Sequence, residues 1–458
     1  VPFERLVELL NPERSLARHP LFQVMLTLQN TEEPELNLPG ITPSLEGIAG
    51  NIAKFDLTFG LAETFDAAGR PAGLTGVVEY AEDLFDPETV TVLTARLGRL
   101  LDQVAADPSR RVGSLSLVDE TELAVQFEQW GTGSGTAPRS SLASVFAQRV
   151  METPDAPAVI SDEGQLTYAE LDAHSSRWAH YLRTQGVTSG TPVALLLERS
   201  TNLVITELAV IKAGGHYVPL HDAYPTDRLA WIVNDASAPL LLTDRTGLPQ
   251  ELAQATRCVV LHDAAETVTT LPVHTPHDEI PAGQTAYVMY TSGTTGLPKG
   301  VVITHADVID LALDPRFDNP AHARVLMHSS HAFDASTYEM WAPLLHGGTI
   351  VIAPAGRLGP DELRTAVTRH AVTGTFLTTA LFNAIALEET DAFDGLHEVW
   401  FGGEKVMVQA VDRVMELCPH TRFVHVYGPT ETTTFATAWP VPADKEPGAP
   451  VPIGTPLA

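Results

Sequence analysis

Two cysteines in 458 residues, Cys258 and Cys418, with no C-x-x-C pair, exclude a disulfide-stapled scaffold and a cysteine zinc site. They fit a reducing compartment. Basic charge is scarce as well: 28 Lys and Arg stand against 57 Asp and Glu, a net charge of −29. Nucleic acids and anionic membranes are bound through clustered Lys and Arg. Both partners are therefore disfavoured, and the acidity reads as solubility. Long apolar runs are missing; Val193–Leu197 falls far short of the ~18 residues of a membrane span. The opening Val1-Pro2-Phe3-Glu4 has neither an initiator Met nor a secretory leader. The expectation is a cytoplasmic chain that starts inside a larger protein.

At ~150 residues per domain, the length suggests about three units. Residues 1–125 read as mixed α and β. Phe22–Leu28, Lys54–Leu61 and Gly73–Tyr80 look like strands, and Pro87–Val104 carries Val90, Leu93, Leu97, Leu100, Leu101 and Val104 at helical spacing. Asp86 should cap that helix, with Pro87 at its first position. Gly131–Ser141 is rich in Gly, Ser and Thr and reads as a linker, so we expect domains at 1–125 and 141–458 joined by residues 126–140. Beyond it, helix candidates Thr167–Thr184 and Thr201–Ala213 are interleaved with short apolar strands. These are Ala158–Ile160, Val193–Leu197, Leu240–Thr243, Tyr287–Tyr290, Thr349–Ile352, Glu398–Phe401 and Phe423–Val426. That alternation predicts an α/β fold with a largely parallel sheet.

The strongest chemical signal is Tyr290–Gly300, YTSGTTGLPKG. Gly293, Gly296 and Gly300 let the backbone approach a ligand closely. Thr291, Ser292, Thr294 and Thr295, the free N–H groups and Lys299 can surround an anion. It is a phosphate cradle but not a P-loop, since GK[ST] never occurs in the chain. Pairs of histidines three apart, His328 with His331 and His274 with His277, have no acidic or Cys partner in sequence to complete a metal pattern. We read them as structural or surface residues.

YTSGTTGLPKG resembles the phosphate-loop signature of the adenylate-forming superfamily. The surrounding motifs resemble an adenylation domain of a nonribosomal peptide synthetase: LTYAEL (Leu166–Leu171), IKAGGHYVPL (Ile211–Leu220), FDASTYEMW (Phe333–Trp341), VYGPTETT (Val426–Thr433) and PIGTPLA (Pro452–Ala458), in order. Upstream, VPFERL, RSLARHPLFQVML (Arg14–Leu26) and KFDLTF (Lys54–Phe59) resemble the C-terminal lobe of a condensation domain. The family's HHxxxDG motif is absent from the chain, so residues 1–125 are expected to be inert for condensation. Also absent are the family's YRTGD-like ribose motif, its small C-terminal subdomain with a Lys, and a carrier domain. The resemblance thus implies a condensation C-terminal lobe (mixed α+β) followed by a large α/β adenylation core with mostly parallel sheets.

The resemblance implies activation of an amino acid as aminoacyl-AMP, for loading onto the phosphopantetheine of a partner peptidyl carrier domain. Thr291, Ser292, Gly293, Thr294, Thr295, Gly296 and Lys299 would bind the β/γ-phosphates of ATP. Thr430 would bond the α-phosphate, and Glu431 would hold Mg²⁺, a hard cation suited to carboxylate oxygen. Tyr427 would stack on adenine, with Gly402, Gly403, Glu404 and Gly428 alongside the nucleotide. Thr430, Glu431 and Lys299 are the expected catalytic residues. Asp334 would pair with the substrate α-ammonium; its bland alternative is a helix N-cap. Asp334, Ala335, Tyr338, Phe376, Trp400, Gly402, Val426, Thr434 and Phe435 would line the side-chain pocket, whose single charge is Asp334. Such a lining suits an aliphatic side chain of valine to isoleucine size. The alternatives are an aryl-acid or acyl-CoA ligase, or a chain without turnover of its own. Further expected partners are the missing N-terminal condensation lobe and C-terminal adenylation subdomain.

Overall fold

The computed structural model describes residues 2–11, 19–30, 52–131, 138–276, 279–292 and 298–457. The chain divides into two compact units, Val1–Gln126 and Phe127–Ala458. Length alone suggested a third, but the second unit holds two sheets in one body.

In the first unit, Val24–Gln29 pairs parallel with Leu57–Phe65, which pairs antiparallel with Pro71–Tyr80. The helix expected at Pro87–Val104 runs over Pro87–Ala106. Pro87 opens it, yet the Asp86 side chain makes no capping hydrogen bond to a described residue. Among the described residues, only Leu57 and Val90 are fully buried apolar side chains of this unit. Leu26 is 61 % exposed and Val77 75 %, so the small sheet leaves apolar surface open.

The expected linker begins in helical backbone: Glu120–Ala124 continues through one π-helical turn, Val125–Trp130. Residues 132–137 lie outside the described residues. Ser141 is already structural, its hydroxyl accepting from the Ser144 N–H to cap the helix Leu142–Glu152.

The second unit is built on two sheets. The six-stranded one has the order Pro298–Thr304, Thr285–Ser292, His216–Pro219, Pro192–Leu196, Leu240–Thr243, Arg257–Val260. All its neighbours are parallel except the first pair. The nine-stranded sheet runs Thr455–Pro456, Thr437–Pro440, Arg422–Tyr427, Glu398–Gly402, Gly374–Thr378, Arg324–Met327, Thr349–Ile352, Pro157–Ser161, Gly164–Thr167. Its six central strands are parallel. Strands covered on both faces read as short apolar runs without alternation, which is why most were visible in sequence.

Between the sheets lie helices that are apolar almost all round. In Thr201–Lys212 every residue from Leu203 onward is buried, and in Ala335–His346 every residue but the last. The second helix is tied to the six-stranded sheet by Thr337 donating to the Tyr287 hydroxyl (2.9 Å) and Trp341 donating to that of Tyr217 (3.3 Å). A helix with no solvent face must pair every charge it carries. Lys212 does so. Its Nζ donates to Asp172 Oδ1 (2.6 Å), the Asp172 carbonyl (3.0 Å), Ser175 Oγ (2.8 Å) and Ser176 Oγ (3.1 Å), and lies 5.3 Å from the Phe146 ring centroid.

Burial lowers the Lys212 pKa to about 8, against the opposing pull of Asp172. The unfolded chain holds that proton up to about 10.4. Between those two values the unfolded state binds more protons, so this residue's contribution makes stability rise with pH. Lys212→Met, which strands Asp172, should cost about 3–5 kcal/mol at pH 7. The gap to wild type should then widen as denaturant unfolding is repeated from pH 8 to pH 10. A constant gap would show that folding does not shift the Lys212 proton.

Candidate active site

The carboxyl ends of the central strands of both sheets converge on one cavity of about 1250 Å³. From the six-stranded sheet come Leu197–Arg199 and Leu220–Ala223; from the nine-stranded sheet come His328–His331, Ala355–Leu358, Thr378–Leu381 and Gly402–Glu404. This is where parallel α/β sheets hold ligands, because the loops there diverge and leave a crevice.

Asp334 lies in its wall, with Ala335, Phe376, Gly402, Val426, Gly428, Thr434 and Phe435. It occupies the cap position of the helix Ala335–His346, but its carboxylate does not cap. Oδ2 instead accepts the Thr430 hydroxyl at 2.6 Å, and the Asp334 carbonyl accepts the Thr434 hydroxyl at 2.7 Å. Burial raises the Asp334 pKa above the usual carboxylate range; the Thr430 hydrogen bond opposes this and the charge of Glu431 adds to it. The anion therefore lacks a full counter-charge.

The backbone is shaped to make these contacts. Thr433 and Thr434 have φ of 58° and 73°, an unfavourable region for β-branched residues. A Cβ at Gly402 would stand 2.2 Å from the Val426 carbonyl oxygen, and one at Gly428 would stand 2.4 Å from that of Thr434. Both positions exclude any side chain.

Tyr338 and Trp400, expected on the pocket wall, lie one layer behind it. Both are fully buried, each with its ring centroid 5.5 Å from that of Phe435 and 6.0 Å from that of the other. The cause is periodicity. Trp400 shares the strand face of Gly402 but sits two residues further from the edge, and Tyr338 lies a helical turn beyond Ala335.

The expected nucleotide residues are divided. Gly402, Gly403, Glu404 and Gly428 line the cavity, with Glu404 held by Thr379, whose hydroxyl donates to its carbonyl at 3.0 Å. Tyr427 is 50 % exposed, and Glu431 is exposed on the short turn Thr430–Thr432. Thr291 and Lys299 face each other on paired strands, as do Ser292 and Pro298. Gly293, Thr294, Thr295 and Gly296 lie outside the described residues. No cluster of three His, Cys, Asp or Glu that could cage a metal occurs among the described residues. Glu431 alone beside Asp334 fits Mg²⁺, which keeps water and phosphate ligands and needs only one or two carboxylates.

Sequence reasoning missed the partners of the histidines. His331 lines the cavity with Nδ1 3.2 Å from buried Glu207 Oε1, and its Nε2 has no hydrogen-bond partner among the described residues. His328 donates from Nε2 to the Phe376 carbonyl at 2.6 Å, and Glu339 accepts from the backbone N–H of His328 (3.1 Å) and Ser329 (2.9 Å). Arg199 ties the two sheets together at the cavity, donating to the carbonyls of His328, Ala353 (3.1 Å), Pro354 and Gly356 (3.3 Å). Sequence spacing carries no trace of these pairings; the acidic partners sit on buried helices, where only their being charged stands out.

Comparison with known proteins agrees with this geometry. Residues 146–458 match the family model for AMP-binding enzymes, and residues 1–126 that for condensation domains. A dimodular nonribosomal peptide synthase of Bacillus subtilis (strain 168) is 37 % identical over 94 % of this chain and 19 % of its own length. An isonitrile lipopeptide synthase of Mycobacterium tuberculosis is 37 % identical over 100 % of this chain and 18 % of its own length. The chain thus spans less than a fifth of these relatives. Among solved structures, the N-terminal subdomain of Klebsiella oxytoca NpsA in complex with 3-hydroxyanthranilyl-AMSN superposes with a TM-score of 0.64 at 26 % identity, over 71 % of this chain and 81 % of that one. Holo-PA1221, a nonribosomal peptide synthetase protein containing adenylation and PCP domains, gives 0.64 at 27 % identity over 70 % and 55 %. With its cavity at the strand ends and its motifs around that cavity, the chain belongs to the AMP-binding enzyme family, of the nonribosomal peptide synthetase type, with condensation-domain sequence ahead of it.

Proposed function

We propose that this site activates an α-amino acid with a small to medium aliphatic side chain, of valine or isoleucine kind. One carboxylate oxygen of the amino acid attacks the α-phosphorus of ATP, the bond to the β-phosphate oxygen breaks, and pyrophosphate leaves with that electron pair. The observation that carries the reading is Asp334, a partly desolvated carboxylate without a full counter-charge at the edge of an apolar pocket. A substrate ammonium supplies that charge.

Two anions must meet in this reaction, so positioning and electrostatic stabilisation dominate. In this reading Thr291 to Lys299 hold the β/γ-phosphates and Thr430 reaches the α-phosphate. Tyr427 stacks on adenine, and Gly402, Gly403, Glu404 and Gly428 border the nucleotide. Glu431 would hold Mg²⁺, whose chemistry is to neutralise phosphate charge. Thr430 stands between the two substrates: its hydroxyl is already on Asp334 at 2.6 Å. The thiol of a peptidyl carrier domain's phosphopantetheine then attacks the aminoacyl carbonyl carbon, the bond to the phosphate oxygen breaks, and AMP leaves as the thioester forms. We assign residues 1–125 and 141–458 to the condensation and adenylation parts, and the open apolar faces of the first to packing against the rest of a condensation domain. An aryl acid, of the kind named with the NpsA structure, carries no ammonium at its α-position and would leave Asp334 unpaired.

Asp334→Ala in the synthetase carrying this chain should lower amino-acid-dependent pyrophosphate exchange by roughly 10²-fold or more, since breaking a buried pair costs about 3–5 kcal/mol. ATP binding should persist. Normal exchange by the variant would remove Asp334 from the substrate site.

A panel of the common amino acids tests the pocket. One methylene is worth only about 1–3 kcal/mol in an apolar site, so valine, isoleucine and leucine should all be activated, while aspartate and lysine should be rejected. Robust activation of either charged substrate would refute the aliphatic assignment.

Residues 1–126 expressed alone should bind the dye ANS and melt without a sharp transition, because among the described residues so little of their apolar surface is enclosed. Cooperative melting without dye binding would argue that this piece needs no covering partner.

A further inference from the structure

Behind the pocket wall lies a buried polar chain that crosses three elements. The short 3₁₀ turn Pro320–His322 contributes His322, the helix Ala335–His346 contributes Tyr338, and the strand Glu398–Gly402 contributes Glu398 and Trp400. All four side chains are buried. His322 Nδ1 is 2.9 Å from the Tyr338 hydroxyl and Nε2 is 3.0 Å from Glu398 Oε1, which also accepts from Trp400 Nε1. Arg422 Nη1 stands 3.4 Å from the other carboxylate oxygen. Phe317 closes the group, its ring centroid 4.7 Å from that of Trp400 and 5.0 Å from that of His322.

The direction of each bond follows from what a carboxylate can do. Burial would raise the Glu398 pKa, but the hydrogen bonds from His322 and Trp400 and the charge of Arg422 prevail and hold it below the usual range. An ionised Glu398 only accepts. The Nε2–H of His322 therefore points at it, and in the tautomer that carries its proton there Nδ1 accepts the Tyr338 hydroxyl. The Tyr338 hydroxyl and the Trp400 indole N–H are thus engaged by His322 and Glu398, neither of which lines the cavity.

We infer that His322 and Glu398 are positioning residues for side-chain selection: they engage the Tyr338 hydroxyl and the Trp400 N–H, so that the floor under Phe376 and Phe435 presents only carbon. This rests on the amino-acid reading of the pocket. The strand supports it by register: Glu398, Trp400 and Gly402 alternate onto one face, so carboxylate, indole and open pocket follow one another along a single strand. An apolar pocket rejects a hydroxyl-bearing isostere only weakly, by about 10²-fold. A stray donor in its floor would erode even that, because the donor would hydrogen-bond the intruding hydroxyl. Without its acceptor, Tyr338 becomes such a donor: buried, unpaired and separated from the cavity by Phe435 alone among its ring neighbours that line it.

Valine and threonine are the probe, being near-isosteric and differing by the hydroxyl. In the synthetase carrying this chain, His322→Leu should reduce the valine-over-threonine ratio of kcat/KM about tenfold. The change should fall on the amino-acid KM and leave the ATP KM unaltered. Adding Tyr338→Phe to His322→Leu should restore the ratio, since no hydroxyl then remains to be released. Glu398→Gln, which keeps an acceptor oxygen for His322 and Trp400, should hold the ratio within about threefold. An unchanged ratio in a folded His322→Leu variant would overturn the inference, as would a lost ratio that Tyr338→Phe fails to restore, the mark of mere loosening. If His322→Leu does not fold, Glu398→Ala with and without Tyr338→Phe gives the same comparison. A wild type that prefers threonine or a charged amino acid would overturn the pocket reading itself and this inference with it, whereas an aliphatic-selective wild type with unaltered variants overturns this inference alone.

Discussion

A carboxylate placed at the mouth of an apolar pocket, with no cation paired to it among the described residues, is the constraint around which the second unit is arranged. Asp334 can be there because the helix behind it, Ala335–His346, is buried from end to end but for its last residue. That helix has to satisfy one sheet through Thr337 and Trp341 and the other through Glu339, which anchors the backbone at His328 and Ser329. Its start is thereby fixed between the two rows of strand ends. The partial positive charge of a helix N-terminus favours an anion there, which offsets some of the desolvation without neutralising it.

Holding the acid in place requires strain nearby. Thr434 reaches the Asp334 carbonyl only with Thr433 and Thr434 both at positive φ. The segment can fold back so closely because Gly428 has no side chain. Strained backbone of this sort persists where surrounding contacts over-determine it, and here those contacts are Thr430 and Thr434 on Asp334 and the aromatic stack beneath Phe435.

How much of this was legible depends on the range of the interaction. Strands covered on both faces announce themselves as apolar runs, so Leu240–Thr243 and Thr349–Ile352 were read to the residue. The short or polar-flanked strands His216–Pro219, Arg324–Met327 and Gly374–Thr378 were not. Asp334 and Gly402 were found through motif resemblance. The depth of Tyr338 and Trp400 was not, because a motif gives position in the chain and not distance from a cavity. The histidines show the limit best. His328 and His331 look like a spaced pair, yet they are held by Glu339 and by Glu207, the latter 124 residues away, and His322 by Glu398, 76 residues away. Only the fold brings such partners together, and spacing along the chain says nothing about them. Asp86 failed in the opposite way: the local rule named the right position, but the side chain was not used.

The histidine–carboxylate pairs also explain how an apolar pocket can be stiff. Apolar packing alone tolerates repacking at modest cost and loses uniqueness before stability. A hydrogen-bonded network that is fully satisfied permits far fewer arrangements, since any shift strands a buried donor or acceptor. Three histidine–carboxylate pairs lie close to the cavity, the third with His331 Nε2 left without a hydrogen-bond partner among the described residues. His328 bonds the carbonyl of Phe376, His322 takes the hydroxyl behind Phe435, and His331 stands on the wall itself. His322 and Glu398 bond each other and do not line the cavity, whereas His328 and His331 do. The stiffness of the pocket then has its origin in buried polar pairs, of which His322 with Glu398 lies behind the surface it supports.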